Sequence, residues 1–160
     1  MTTKAPKKSI QTIINDGIVA QHAGQLDEAE DLFKLALKLD SKNPAALYSL
    51  GAIESGRARY SEALVHMQKA VKASPNFAQA HLALSVILFH LGKLPEATQS
   101  VNKALKLDAK LAGAQAHLDT LRLANQGAAN IAPTNPEVAS LNTQATVSYT
   151  HLTLPTICSV

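Results

Sequence analysis

Cysteine occurs once in the 160 residues, as Cys158, and tryptophan is absent. A lone thiol cannot close an internal disulfide, and Cys-based metal sites are unsupported. No apolar run approaches the ~20 residues that a membrane-spanning helix needs. Charge of one sign is also scarce: 15 Lys+Arg against 12 Asp+Glu leave +3, too weak a balance to argue for a nucleic-acid partner. Lys4, Lys7 and Lys8 are the only basic cluster, and no continuous apolar core follows them. A secretory signal is therefore not expected, and the cytoplasm is the default location.

Chemistry-bearing motifs are missing as well. There is no Gly-rich phosphate loop, no nucleophile elbow and no Cys/His pair. Of the six histidines, no two stand at i, i+4 with a carboxylate partner, so no metal site is expected. Asp27, Glu28, Glu62 and Glu96 fall where helices begin, and the helix macrodipole accounts for them without catalysis. No catalytic residue, cofactor or metal is assigned, and these residues are read as non-enzymatic.

What the chain does have is a period. GQLDEAEDLFKLALKLD, starting at Gly24, returns as ARYSEALVHMQKAVKAS and as GKLPEATQSVNKALKLD, each displaced by 34 residues. Ala29, Ala63 and Ala97 fall in register, as do Ala36, Ala70 and Ala104. A fixed period of that length signals stacked supersecondary units. Repeats are drawn at 10–43, 44–77 and 78–111, each as two helices, with a cap helix at 112–125. That last helix is either a terminal cap, which arrays require, or the first half of an interrupted fourth repeat. Residues 1–9 are expected to be disordered, and 126–146 to be a linker or the start of a truncated continuation, with a helix start at Asn135–Leu141.

Local signals support the hairpins. Ile10, Ile13, Ile14, Gly17 and Ile18 have helical apolar spacing. Gly24 and Gly92 suit turns after a helix, and Ala58 takes the equivalent place between them. Asn43-Pro44 reads as an N-cap followed by proline at the first helical position. Asp27 and Ser61 are expected to cap the second helices of repeats one and two.

These residues resemble the tetratricopeptide-repeat (TPR) family from Ile10 to about Asn125. Small residues stand where the two helices of a repeat cross (Gly17, Gly51 and Ser85), followed by the two alanine series. A large side chain follows four residues after the first alanine: Phe33, Met67 and Val101. The proline near the repeat end survives only as Pro75, with Ser41 and Ala109 in its other places. Asp16 stands where Leu50 and Leu84 stand. The fold implied is all-α, a right-handed superhelix of three helix-turn-helix repeats plus a capping helix.

The function implied by the resemblance is capture of a protein or peptide in a concave groove lined by the first helices. The groove positions carried over are Gln11, Ile14, Ile18 and Gln21; Ala45, Tyr48, Ala52 and Ser55; and Gln79, Leu82, Val86 and Phe89. The lysines, asparagines and arginines with which chaperone-binding members clamp a terminal carboxylate are absent here. The asparagine ladder of O-linked N-acetylglucosamine transferases is reduced to Asn15, with Ser49 and Ala83 after it. What remains is an apolar surface around Ile14, Ile18, Tyr48, Ala52, Leu82, Val86 and Phe89. It either packs within the array or meets an apolar helix, a peptide or a downstream domain of the same chain. The expected role is a scaffold or adaptor. The alternative is the N-terminal repeat region of a larger bacterial glycosyltransferase, sulfotransferase or methyltransferase.

Residues 147–160, VSYTHLTLPTICSV, differ in composition from all that precedes. The first ten resemble the in-frame translation of a transposase-type sequencing-library adapter. The natural gene is therefore expected not to end here, and the chain to be the N-terminal piece of something longer.

Overall fold

The computed structural model describes residues 9–131, with side chains over 9–127. The expectations for the first eight residues, for Asn135–Leu141 and for 147–160 lie outside them. Among the described residues there are seven α-helices and no strand: α1 (Ile10–His22), α2 (Leu26–Leu39), α3 (Pro44–Gly56), α4 (Tyr60–Ala73), α5 (Ala78–His90), α6 (Leu94–Leu107) and α7 (Ala114–Ile131). The fold is the all-α helical-repeat superhelix expected. The chain divides into two compact units between Arg122 and Leu123. Within the first unit α1 pairs with α2, α3 with α4 and α5 with α6, and α2 and α4 each pack on the next hairpin.

Starts and stops follow elementary backbone chemistry. Asn43 accepts the Ala46 N–H at 3.2 Å while Pro44 opens α3, which settles one orphan donor and removes another. The turns inside the hairpins place Gly24, Ala58 and Gly92 at φ +78°, +58° and +73°. Ala58 thus adopts a left-handed conformation that its Cβ disfavours.

Two expected caps are corrected. The second helices begin at Leu26 and Tyr60, one residue before Asp27 and Ser61, and their cap residues Gln25 and Arg59 make no side-chain cap bond. Asp27 and Glu30 instead each meet Arg57, from the end of the next repeat's first helix, at 2.5 Å. The Lys34 hydrogen bond, then the charges of Lys34, Arg57 and Arg59, hold the Glu30 carboxyl below its ordinary value against the opposing effect of burial.

The core forms where helices cross. Ala29, Ala36, Ala63, Ala70, Ala97 and Ala104 are wholly buried, as are Phe33, Met67 and Val101. Gly17 lies so close to Phe33 that a Cβ would stand 2.7 Å from the ring, and at Gly51 it would stand 2.9 Å from the Met67 methyl and 3.3 Å from the Ala63 carbonyl. At the third crossing Ser85 is fully buried, and its hydroxyl donates to the Ala97 carbonyl at 2.6 Å. His117 of α7 then reaches the Ser85 hydroxyl oxygen through Nε2 at 3.0 Å. With its own proton committed to Ala97, Ser85 accepts from His117, which fixes a proton on Nε2.

The face of α3 that carries Ala46, Leu50 and Ile53 recurs as Ala80, Leu84 and Ile87 on α5 and as Ala114, Leu118 and Leu121 on α7, all buried. The buried face of α7 thus repeats, in register, that of α3 and α5. On α1 the matching residues are Thr12, Asp16 and Val19, and Val19 is 69% exposed. Asp16 thus stands half-buried where leucines stand elsewhere.

Candidate functional site

The first helices α3 and α5 present their unburied sides to one groove of ≈ 560 Å³. Its wall on α3 is Tyr48, Ala52 and Ser55, and its wall on α5 is Gln79, Leu82, Ala83 and Val86. Met67 and Ile87 reach it from the core, and Leu111 and Ala112 close the end before α7. Tyr48 is braced by Phe77, with ring centroids 5.0 Å apart and a tilt of 49°. No lining residue carries a charged side chain. The surface is apolar with a phenol, a hydroxyl and a carboxamide at its margins, the composition of a site that accepts an apolar body and orients it by a few hydrogen bonds.

Of the positions expected from the sequence, Tyr48, Ala52, Leu82 and Val86 come together here, with Ser55 and Gln79 beside them. Ile14 does not: it is 2% exposed and packs in the core with Ile13, Phe33 and Leu50. Ile18 is exposed at 37% but stands outside the groove lining. Phe89 is half-buried, turned edge-on to His117 and to His90 at 5.8 Å each. His90 stacks on Tyr60, with ring centroids 4.4 Å apart.

Sequence reasoning missed Met67, Ile87, Ala83, Leu111 and Ala112. Leu111 was detectable, because it lies in register with Phe77, which braces the preceding rung. Met67 and Ile87 were not, because each also serves the core. Among the described residues no cluster of His, Cys, Asp and Glu could hold a metal. No described helix is long and apolar enough to cross a membrane.

Comparison with known proteins places this geometry. Residues 52–118 match the family model described as tetratricopeptide repeat. The chain is 30% identical over 98 residues to the CTR9 homolog of Arabidopsis thaliana, covering 61% of this chain and 9% of that protein. It is 33% identical over 81 residues to the probable UDP-N-acetylglucosamine--peptide N-acetylglucosaminyltransferase SPINDLY of Solanum lycopersicum, covering 51% of this chain and 9% of the relative. The chain thus spans under a tenth of the length of either relative. Among solved structures, the first TPR of Spaghetti (RPAP3), bound to an HSP90 peptide, superposes with a TM-score of 0.71 at 19% identity. That match covers 78% of this chain and 99% of the other. By its period, its helix crossings, the family model matched over residues 52–118 and the superposition, the chain has the tetratricopeptide-repeat fold.

Proposed function

We propose that the groove between α3 and α5 holds an apolar helix or peptide of a protein partner, so that the array acts as a scaffold or adaptor. One observation carries this reading: the groove is lined by Tyr48, Ala52, Leu82, Val86, Ile87 and Met67 without a single charged side chain. A partner that presents a terminal carboxylate would lose its hydration there and find no cation in return. The HSP90 peptide in the solved neighbour belongs to that neighbour, and the uncharged lining argues for a different ligand here. Tyr48, Ser55 and Gln79 supply the polar margin that sets register.

A titration of the 160-residue chain with a Leu/Ala-rich amphipathic helical peptide tests this. Leu82→Ser with Val86→Ser should weaken binding by ~10-fold or more, since each buried aliphatic side chain is worth ~1.5–3 kcal/mol. Equal binding by that double variant, with helicity intact, would refute the reading, as would preference for a peptide whose only feature is an acidic C-terminus. The second reading, a repeat region serving a larger glycosyltransferase, draws on the match to the tomato relative. A long open frame after Thr146 in the uninterrupted gene supports it, and a prompt stop supports the adaptor.

A further inference from the structure

A second recess, of ≈ 490 Å³, is lined by Ser41, Lys42, Leu47, Lys69, Lys72 and Ala73. It forms where the link after α2 enters α3 beside the end of α4. Its floor is apolar, with Leu47 2% exposed, and its three lysines are exposed around the opening. Ala73, exposed at its edge, stands in register with Leu39 and Leu107. Those leucines are 56% and 38% exposed, so the place is open in every repeat, and in this one it carries only a methyl group.

The lysines are not all accounted for by the fold. Lys72, like Lys38 and Lys106, lies in the last turn of a helix, where the macrodipole favours a cation. Lys42 and Lys69 lie outside any last turn. Among the described residues, ion pairs engage Lys34, Arg57, Arg59 and Arg122, and none engages Lys42, Lys69 or Lys72. The carboxylate nearest in sequence, Asp40, is occupied in its own turn, accepting from the Lys42 N–H at 3.1 Å and from the Asn43 amide at 3.4 Å.

We propose that this recess docks an acidic peptide segment, its carboxylates on Lys42, Lys69 and Lys72 and one aliphatic side chain over Leu47 in the space that Ala73 leaves. Charge complementarity selects the sign of the partner, and the apolar floor selects its class. A nucleic-acid strand would gain little, because no aromatic ring lines the recess for a base to stack on. The surface is distinct from the groove between α3 and α5, so the chain can hold two partner segments at once.

The test is fluorescence anisotropy of a fluorescein-labelled peptide of alternating glutamate and leucine with the 160-residue chain at low ionic strength. Saturable binding is expected, weakening as salt is raised. Lys69→Gln with Lys72→Gln should cost about tenfold, the sum of a few exposed ion pairs. Ala73→Leu, which fills the recess and leaves every charge in place, should weaken binding comparably. Leu82→Ser, in the other groove, should leave it unchanged, and circular dichroism checks that each variant is folded. Absence of saturable binding overturns the proposal. So does loss with the lysine variants but not with Ala73→Leu, which would reduce the surface to unspecific attraction. Loss with Leu82→Ser, or equal affinity for a single-stranded oligonucleotide of the same charge, also overturns it.

Discussion

Alanine at Gly17 sets two opposing effects against each other at a helix crossing. Its ideal Cβ would stand 2.7 Å from Cε1, 3.0 Å from Cζ and 3.1 Å from Cδ1 of Phe33. The phenyl ring is fully buried and moves only as a plate, so α1 must shift away from α2. At Gly51 the new Cβ would meet the Met67 methyl at 2.9 Å and the Ala63 carbonyl at 3.3 Å. A methionine end can swing aside, and the carbonyl needs to give only a few tenths of an ångström. Both substitutions gain ~1 kcal/mol of helix propensity. Overpacking costs ~1–3 kcal/mol, and the rigid ring puts Gly17 near the upper end. The balance is a loss of about 1–2 kcal/mol for Gly17→Ala and about zero for Gly51→Ala. Followed by circular dichroism, the thermal midpoint of Gly17→Ala should fall by roughly 5–10 °C and that of Gly51→Ala should barely move. Adding Phe33→Leu to Gly17→Ala should cost less than the two single changes summed, because the clash is removed. A Gly17→Ala protein as stable as the parent would show that α1 does not pack against Phe33, and the reasoning about all three crossings would fail with it.

Ala63→Leu places a branched side chain at the fully buried crossing of the central repeat and should cost about 1–3 kcal/mol, read from urea unfolding. Because that repeat joins its neighbours, the two ends should then unfold in separate steps. Ala58→Gly relieves a left-handed alanine, a conformation that costs ~1–2 kcal/mol, against ~0.4–1 kcal/mol of added chain entropy, so the midpoint should rise slightly. Burial, and secondarily the charge of His90, hold His117 below its ordinary value of 6.5, while its Ser85 bond opposes this. The unfolded chain therefore binds the proton first, so stability is complete above about pH 6.5 and declines as pH falls through it. His117→Gln should flatten that decline in melts between roughly pH 7.5 and 5.5. An unchanged slope would show that His117 is not buried against Ser85.

Much of this molecule was legible in one dimension because a repeat states its rules several times. The spacing of Gly17, Gly51 and Ser85, of the alanine series, and of Gly24, Ala58 and Gly92 marked crossings and turns, since sterics at those places admit few residue types. Tyr48, Ala52, Leu82 and Val86 came from the family resemblance carried over repeat by repeat. Other features depended on what a residue meets from another repeat. Ile14 and Ile18 are both apolar on one helix, yet packing with Phe33 and Leu50 buries the first, while the second stays open. Asp27 looked like a cap but is engaged by Arg57, thirty residues on. Ser85 could pass for a small residue alone, until His117 arrives to share its hydroxyl. The recess beside Ala73 forms only where the end of α4 meets Leu47 on α3. Period and small residues are local constraints that a sequence displays directly, whereas burial, ion pairing and cavity shape arise only when separate helices are brought together.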